Sequence, residues 1–104
     1  MSFNENEGEF ITLEEGAAMT ARYRNSVQTG ETIAVNFSKS IIEEILNQNE
    51  CQGLRFYFAK NAAGLTNLVI TGVDDQGNDL YQGILADRGG ICPPHCPRKN
   101  PLNS

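Results

Sequence analysis

The sequence lacks the segments that would direct a chain into or across a membrane. The stretch from Met1 to Glu7 has neither the basic start nor the apolar core of a secretory signal. No run approaches the ~18 consecutive apolar residues that mark a membrane-spanning helix. We therefore expect a cytoplasmic protein that has no membrane partner.

Basic residues and nucleotide-binding motifs are also scarce. Eight Lys and Arg stand against thirteen Asp and Glu, which gives a net charge of −5. Contacts to phosphate supply most of the affinity of nucleic-acid binding, so this charge disfavours a DNA or RNA partner. The ten glycines form neither a dinucleotide fingerprint nor a phosphate loop with its lysine. The sequence predicts no nucleotide cofactor.

Cysteine and histidine are few. The chain has three cysteines and one histidine, His95. An odd count fits poorly with a closed disulfide framework, and the cytoplasm keeps thiols reduced. We therefore expect Cys51, Cys92 and Cys96 to be reduced. Any nucleophile that needs a histidine base must use His95, which argues against hydrolase chemistry, and we predict no catalytic residue.

The chain does contain enough apolar sequence for one folded core. It has 104 residues, 39% of them apolar, with five Phe and three Tyr. A single domain of this length buries roughly two-thirds of its surface. We predict a disordered acidic stretch over residues 1 to 9, one α+β domain over residues 10 to 87, and a tail rich in Gly, Pro and Cys over residues 88 to 104.

Two helices are indicated by their caps. Thr12 and Glu15 have the spacing of a capping box, which predicts a helix over residues 13 to 26. Ser40 and Glu43 repeat that spacing before a second helix over residues 41 to 49. That second helix carries an apolar face on one side, formed by Ile41, Ile42, Ile45 and Leu46.

The strands are indicated by alternation of apolar and polar residues. Residues 54 to 60, 66 to 73 and 80 to 86 predict a three-stranded antiparallel meander, and residues 32 to 37 a candidate fourth short strand. The acidic loop from Asp74 to Asp79 lacks the ligand order of an EF-hand, so we interpret it as a turn. The predicted fold class is α+β: two helices packed on a small antiparallel sheet, followed by an irregular proline-rich tail.

The segment from Cys92 to Cys96 concentrates the side chains that could carry chemistry. Cys92 and Cys96, with His95 or Cys51 as a further ligand, could hold zinc. Alternatively Cys92 and Cys96 form a redox pair, which requires a Cα separation of about 4.4 to 6.8 Å. An extended diproline would hold them about 12 Å apart unless the chain turns after Pro94. A third interpretation is a stiff strap with both cysteines buried as small apolar groups.

A second candidate surface lies on the first strand of the meander. Arg55 and Tyr57 share the side of that strand opposite to Leu54, Phe56 and Phe58. If the helices cover only one face of the sheet, Arg55 and Tyr57 are available to a protein partner.

Three motifs give the chain a resemblance to a family of small uncharacterised bacterial proteins. They are a GxRxY strand over residues 53 to 57, a GVDxxGND turn over residues 72 to 79, and the CPPxC motif over residues 92 to 96. The resemblance spans about residues 37 to 97. It implies a shared small fold and a cysteine-proline ending, and it implies no catalytic role.

Three functions remain open on the sequence alone. The first is a non-enzymatic cytoplasmic interaction or accessory domain without a cofactor. The alternative is a metal-binding (zinc) or thiol-redox protein that uses residues 92 to 96. A small enzyme that acts through carboxylates comes third.

Overall fold

The architecture is given by a computed structural model, which describes residues 7 to 104. The prediction of disorder falls largely on residues 1 to 6, outside the described residues, and residues 7 to 12 have no regular structure. The element order is α1 (Leu13–Ser26), β1 (Ala34–Asn36), α2 (Lys39–Leu46), β2 (Gly53–Lys60), β3 (Thr66–Val73), β4 (Leu85–Ala86) and β5 (Gly90–Cys92).

Helix α1 begins at the predicted capping box. The Thr12 hydroxyl oxygen accepts from the Glu15 amide at 3.1 Å, and the Glu15 carboxylate accepts from the Thr12 amide at 3.3 Å. These two bonds satisfy amides that have no partner inside the helix, which confirms the start and the bounds predicted for α1. None of its residues is buried, so α1 lies at the periphery of the domain.

Helix α2 begins two residues before its predicted start. The Ser38 hydroxyl, rather than Ser40, accepts the hydrogen bond from the Ile41 amide at 3.3 Å. Both serines precede the apolar face, and either could cap a helix. Ile45 is 0% exposed, and α2 packs on β2 and β3. Neither of the helices within residues 7 to 104 is long and apolar enough to cross a membrane.

Strands β2, β3 and β4 form the predicted antiparallel meander, which confirms the fold class. The register pairs Phe56 with Ile70 and Arg55 with Thr71. Directly opposed residues lie on the same face of an antiparallel sheet. A Cβ on Gly72 would point at the side chain of Gln48, just after α2, so this face of β3 is the one that α2 covers. Ile70, two residues before Gly72, lies on the same face. The opposite face carries Arg55.

The third strand of the meander is much shorter than predicted. Residues 80 to 86 were expected to be extended, but β4 contains only Leu85 and Ala86. The Gly83 amide donates to the Leu80 carbonyl at 3.0 Å, which makes a turn in place of the first half of that strand. The Ile84 amide then donates to the Gln48 side chain at 2.8 Å instead of to a neighbouring strand. The predicted turn over residues 74 to 79 is confirmed.

The prediction that the tail contains no regular element is wrong. Strand β5 pairs antiparallel with β1 in a separate two-stranded sheet, with Val35 opposite Ile91. Residues 34 to 36 therefore do not join the meander as its fourth strand. The residue before β5 is Gly89, and a Cβ at this position would lie only 2.7 Å from the ring of Phe37. Composition predicted a loop here, but close packing is what requires these glycines.

Candidate redox-active disulfide

Cys92 and Cys96 are joined by a disulfide bond. Cys92 is the last residue of strand β5. The chain then turns through Pro93 and Pro94, and the peptide bonds that precede both prolines are cis. The His95 amide donates to the Ile91 carbonyl at 2.9 Å, and the Cys96 amide to the Pro94 carbonyl at 3.1 Å. The resulting turn holds the two cysteine Cα atoms 4.6 Å apart.

This geometry corrects the prediction that all three cysteines are reduced. Cys92 and Cys96 are oxidised, and Cys51 alone is a free thiol among the described residues. The Cα separation falls within the range that a redox pair requires. The interpretation depended on a turn, which is present, but it runs through Pro93 and Pro94 themselves and does not begin after Pro94.

The two cysteine residues differ in their exposure to solvent. Cys92 is 2% exposed because it belongs to the strand that pairs with β1, whereas Cys96 lies in an exposed part of the turn. His95, next to Cys96, is also exposed. Thiol–disulfide exchange begins with attack by a thiolate on a reachable sulfur. Access therefore favours Cys96 as the sulfur that an incoming thiol attacks.

The structure does not bring the four predicted zinc ligands together. The Cys51 thiol donates to the Gly53 carbonyl at 3.3 Å and lies against Gly72 on the covered face of the meander. The disulfide leaves Cys92 and Cys96 without the thiolates that bind zinc. Within residues 7 to 104, no three His, Cys, Asp or Glu side chains are grouped closely enough to hold a metal ion.

Two open clefts meet at His95. The disulfide cleft has a volume of about 560 Å³ and is lined by residues 34 to 36, Gly90, Cys92 and residues 95 to 97. The basic cleft has a volume of about 750 Å³ and lies between the β2–β3 hairpin and the chain that follows β4. Its polar side chains are Lys60, Asn61, Asn67, Asp87, Arg88 and His95.

Sequence reasoning missed Lys60 and Arg88. They lie on separate segments, and neither belongs to a recognisable motif. Arg88 has a positive φ of 59°, a conformation that is uncommon for residues other than glycine. Only the antiparallel hairpin and the return of the chain through β5 place both around the same cleft.

An apolar groove of about 580 Å³ lies on the other side of Cys92. Met19 and Tyr23 of α1 form one wall, and Phe58 and Leu68 of the meander another. The tail closes the groove through Pro97 and residues 100, 102 and 103. Arg24 donates to the backbone oxygens of Leu102 at 2.6 Å and Ser104 at 2.9 Å, which fastens the tail to α1.

The second candidate surface, Arg55 and Tyr57, lines neither of the two clefts that meet at His95. Both side chains are partly exposed and bind the carboxylate of Asp79, whose role sequence reasoning did not identify. The hydrogen bond from Tyr57 is the main cause that lowers the pKa of Asp79, against a smaller opposing effect of burial. The same bond raises the pKa of Tyr57. The three side chains fasten the turn after β3 to β2.

Comparison with family models, with curated proteins and with solved structures found no match for this chain. The resemblance of residues 37 to 97 to small bacterial proteins stays a prediction. The chemistry that the chain can perform is accordingly inferred from the geometry of its own residues.

Proposed function

We propose that this protein is a thiol–disulfide exchange protein whose reactive group is the Cys92–Cys96 disulfide. The observation that carries the proposal is the unequal exposure of the two cysteine residues, with Cys92 2% exposed and Cys96 at the surface. An exposed sulfur admits an attacking thiol, and its protected neighbour is held in place to re-form the bond.

The short loop between the cysteines supports a chemical role over a structural one. The disulfide spans a sequence separation of 4, so it restrains only a local turn. Chain-entropy arguments give about 2 kcal/mol for a loop this short, against about 4.7 kcal/mol for a loop of ~100 residues. We also propose a cytoplasmic location, where disulfides, when present, are usually transient and catalytic or redox-sensing.

The proposed reaction is a two-step exchange. A thiolate attacks Cys96 Sγ, the Cys92–Cys96 bond breaks, and a mixed disulfide forms at Cys96 while the Cys92 sulfur leaves and takes a proton from water. A second thiolate attacks the outer sulfur of the mixed disulfide and releases Cys96 as a thiolate, which takes a proton from water. Two thiols are thereby oxidised to one small disulfide, and the protein disulfide is reduced to two thiols.

The test compares the two cysteines one at a time in a Cys51→Ala background. Cys92→Ala leaves Cys96 as the single thiol, and Cys96→Ala leaves Cys92. We expect an aromatic disulfide reagent to modify Cys96 at least about tenfold faster than Cys92, because the buried thiol must wait for local opening. Unfolding midpoints measured for both variants show whether either has lost its fold.

A second measurement uses the Cys51→Ala protein with both remaining cysteines intact. Oxidised protein is mixed with 2-mercaptoethanol and quenched with acid, and fragmentation mass spectrometry locates the adduct. We expect the mixed disulfide at Cys96. Equal modification of the two cysteines, or a disulfide that resists the thiol until the protein unfolds, would overturn the proposal.

An interaction domain is the second candidate, and the exposed edge of the meander favours it. Among the described residues, β2 pairs only with β3, so its other edge is open to an added strand. That strand exposes Phe56, Tyr57 and Phe58, the last by 87%. The partner that fits this edge is an extended peptide with apolar residues at alternate positions, which would add to β2 by backbone hydrogen bonding.

Selection from a random peptide library on the immobilised protein tests this second candidate. Peptides that alternate apolar and polar residues are expected, and their binding should be lost in Phe58→Lys, a change at an exposed position. Lys39→Phe, which adds an exposed ring elsewhere, controls for general stickiness. Peptides without the alternating pattern, or binding that survives Phe58→Lys, would count against a strand-addition site.

A further inference from the structure

We propose that the thiol which reacts with the disulfide is a small anionic one, bound through the basic cleft. This inference rests on the proposed exchange at Cys96 and names its substrate class. The ligand would carry a carboxylate, sulfonate or phosphate group at one end and a thiol at the other. Its anionic end would lie near Lys60 and Arg88, and its sulfur would reach Cys96.

The charge around the basic cleft differs from that of the rest of the chain. Lys60 and Arg88 line the cleft with one carboxylate, Asp87, whereas the whole chain carries a net charge of −5. The one ion pair found among residues 7 to 104 joins Arg55 to Asp79. Lys60 and Arg88 therefore keep their charges unpaired, so an anion in the cleft would gain attraction without first breaking an ion pair.

The basic cleft is also connected to the reactive sulfur. His95 lines both the basic cleft and the disulfide cleft, and Cys96 lines the latter as the next residue in the chain. A ligand whose anionic end lies in the basic cleft can therefore extend past the imidazole to Cys96. Asn61 and Asn67 add side-chain amides to the cleft wall, which suit an anionic oxygen better than an apolar group.

The size of the basic cleft agrees with a small ligand. Its volume of about 750 Å³ lies within the ~300 to 1,000 Å³ typical of small-molecule sites. The apolar groove, at about 580 Å³, is comparable in size, but Met19, Tyr23 and Phe58 form much of its wall. Arg24 also lines it, and its guanidinium is already bound to the backbone oxygens of Leu102 and Ser104. An anionic thiol therefore fits the basic cleft better than the apolar groove.

The test uses three thiols that share a two-carbon chain and carry terminal groups of different charge. They are 2-mercaptoethanesulfonate, 2-mercaptoethanol and cysteamine, which are anionic, neutral and cationic. Their rates of disulfide reduction are measured at low ionic strength and divided by their rates on an unstructured peptide containing the same CPPHC segment. After this correction for intrinsic reactivity, we expect the order sulfonate, then hydroxyl, then ammonium.

Charge variants connect that preference to the cleft. Lys60→Gln and Arg88→Asn should each lower the sulfonate-to-hydroxyl rate ratio by about threefold, the effect of one unit charge about 7 Å away in water. Asparagine is chosen for position 88 because it tolerates the positive φ found there. Lys39→Gln, which removes the same charge from α2 outside the cleft, should leave the ratio unchanged. Added salt should weaken the preference.

The outcomes separate this inference from the proposed function. If all three thiols reduce the disulfide with equal corrected rates, or if Lys39→Gln acts as strongly as Lys60→Gln, the basic cleft does not select the substrate, although exchange at Cys96 stands. If none of the three reduces the folded protein, both proposals fail. Loss of the preference in Lys60→Gln and Arg88→Asn, with the preference kept in Lys39→Gln, supports both.

Discussion

Tyr57 donates a hydrogen bond to the carboxylate of Asp79, across the face of the meander opposite α2. That bond lowers the pKa of Asp79 and raises the pKa of Tyr57. A depressed carboxyl pKa stabilises the fold above the unfolded value near ~3.9, and this stability is lost as pH falls through the folded value. A raised phenol pKa stabilises the fold below ~10 and is lost as pH rises through the folded value.

We therefore predict that Asp79→Asn weakens the dependence of stability on pH in both the acidic and the alkaline range. At neutral pH the variant should lose less than about 1 kcal/mol of unfolding free energy, because partly exposed ion pairs contribute little. Urea unfolding between pH 2 and pH 11 measures the effect. Asp75→Asn, in the same turn and exposed, is the matched control. Identical pH profiles for Asp79→Asn and the natural protein would contradict the prediction.

The anchoring of α2 can be tested at two adjacent residues. Ile45 is fully buried, whereas Leu46 is 41% exposed. Ile45→Ala should reduce the unfolding free energy by about 2 to 5 kcal/mol, since it removes buried methyl groups and leaves a cavity. Leu46→Ala removes a similar volume and should change it by about 0.5 kcal/mol or less. Denaturant unfolding of both variants checks the contrast, and similar losses would show that α2 does not pack through Ile45.

Close packing at Gly72 predicts that a side chain there is destabilising and that a second substitution, at Cys51, relieves part of the effect. A Cβ at this position would lie 2.9 Å from the Cys51 sulfur and 3.1 Å from the Gln48 amide nitrogen. Gly72→Ala should therefore destabilise the protein by about 1 to 3 kcal/mol through overpacking. Cys51→Ala removes the nearer atom, so the double variant should recover part of the loss.

A thermodynamic cycle of the two single variants and the double variant measures that coupling. Additive effects at Gly72 and Cys51 would mean that the thiol does not limit the space at Gly72. Cys51→Ala alone is the necessary reference, because it also removes the hydrogen bond to the Gly53 carbonyl.

Gln48 connects the end of α2 to the segment before β4. Its amide nitrogen donates to the Ile45 carbonyl at 2.9 Å, and its oxygen accepts from the Ile84 amide at 2.8 Å. Gln48→Ala should lower the unfolding free energy by about 1 to 2 kcal/mol and expose the Ile84 amide to exchange. Amide exchange resolved at Ile84 measures this, with exposed Gln52→Ala as the control. An Ile84 amide that stays protected would argue against the bridge.

The parts of the fold that were predictable from sequence are those whose signals are local. Thr12 and Glu15 make both bonds of their capping box within three positions, so α1 could be placed correctly. The alternation over residues 54 to 60 and 66 to 73 marks strands that pair through a short hairpin. In each case the stabilising partner lies close in the chain, so spacing alone carries the information.

The features that were missed depend on distant partners. Strand β5 is recognisable only beside Val35 and Phe37, because its glycines carry no strand signal of their own. The first half of the third predicted strand is a turn because Gln48 replaces a neighbouring strand as the partner of Ile84.

The sequence indicated where the candidate site lies, but it did not predict that Cys92 and Cys96 form a disulfide. The segment from Cys92 to Cys96 is the one cluster of soft side chains in the chain, and its turn depends on the His95 amide reaching back to Ile91. The basic cleft was not predictable, since Lys60 and Arg88 meet only through the tertiary fold.

The pairing of β1 with β5 has a consequence for the order in which the protein is completed during synthesis. Residues 34 to 36 leave the ribosome long before residues 90 to 92, so β1 stays unpaired until β5, its one partner among the described residues, has been synthesised. The two helices and the β2–β3 hairpin, which lie before β5 in the chain, can form earlier. The cysteine pair is thus assembled late, and the proposed exchange site is incomplete in a nascent chain that still lacks β5.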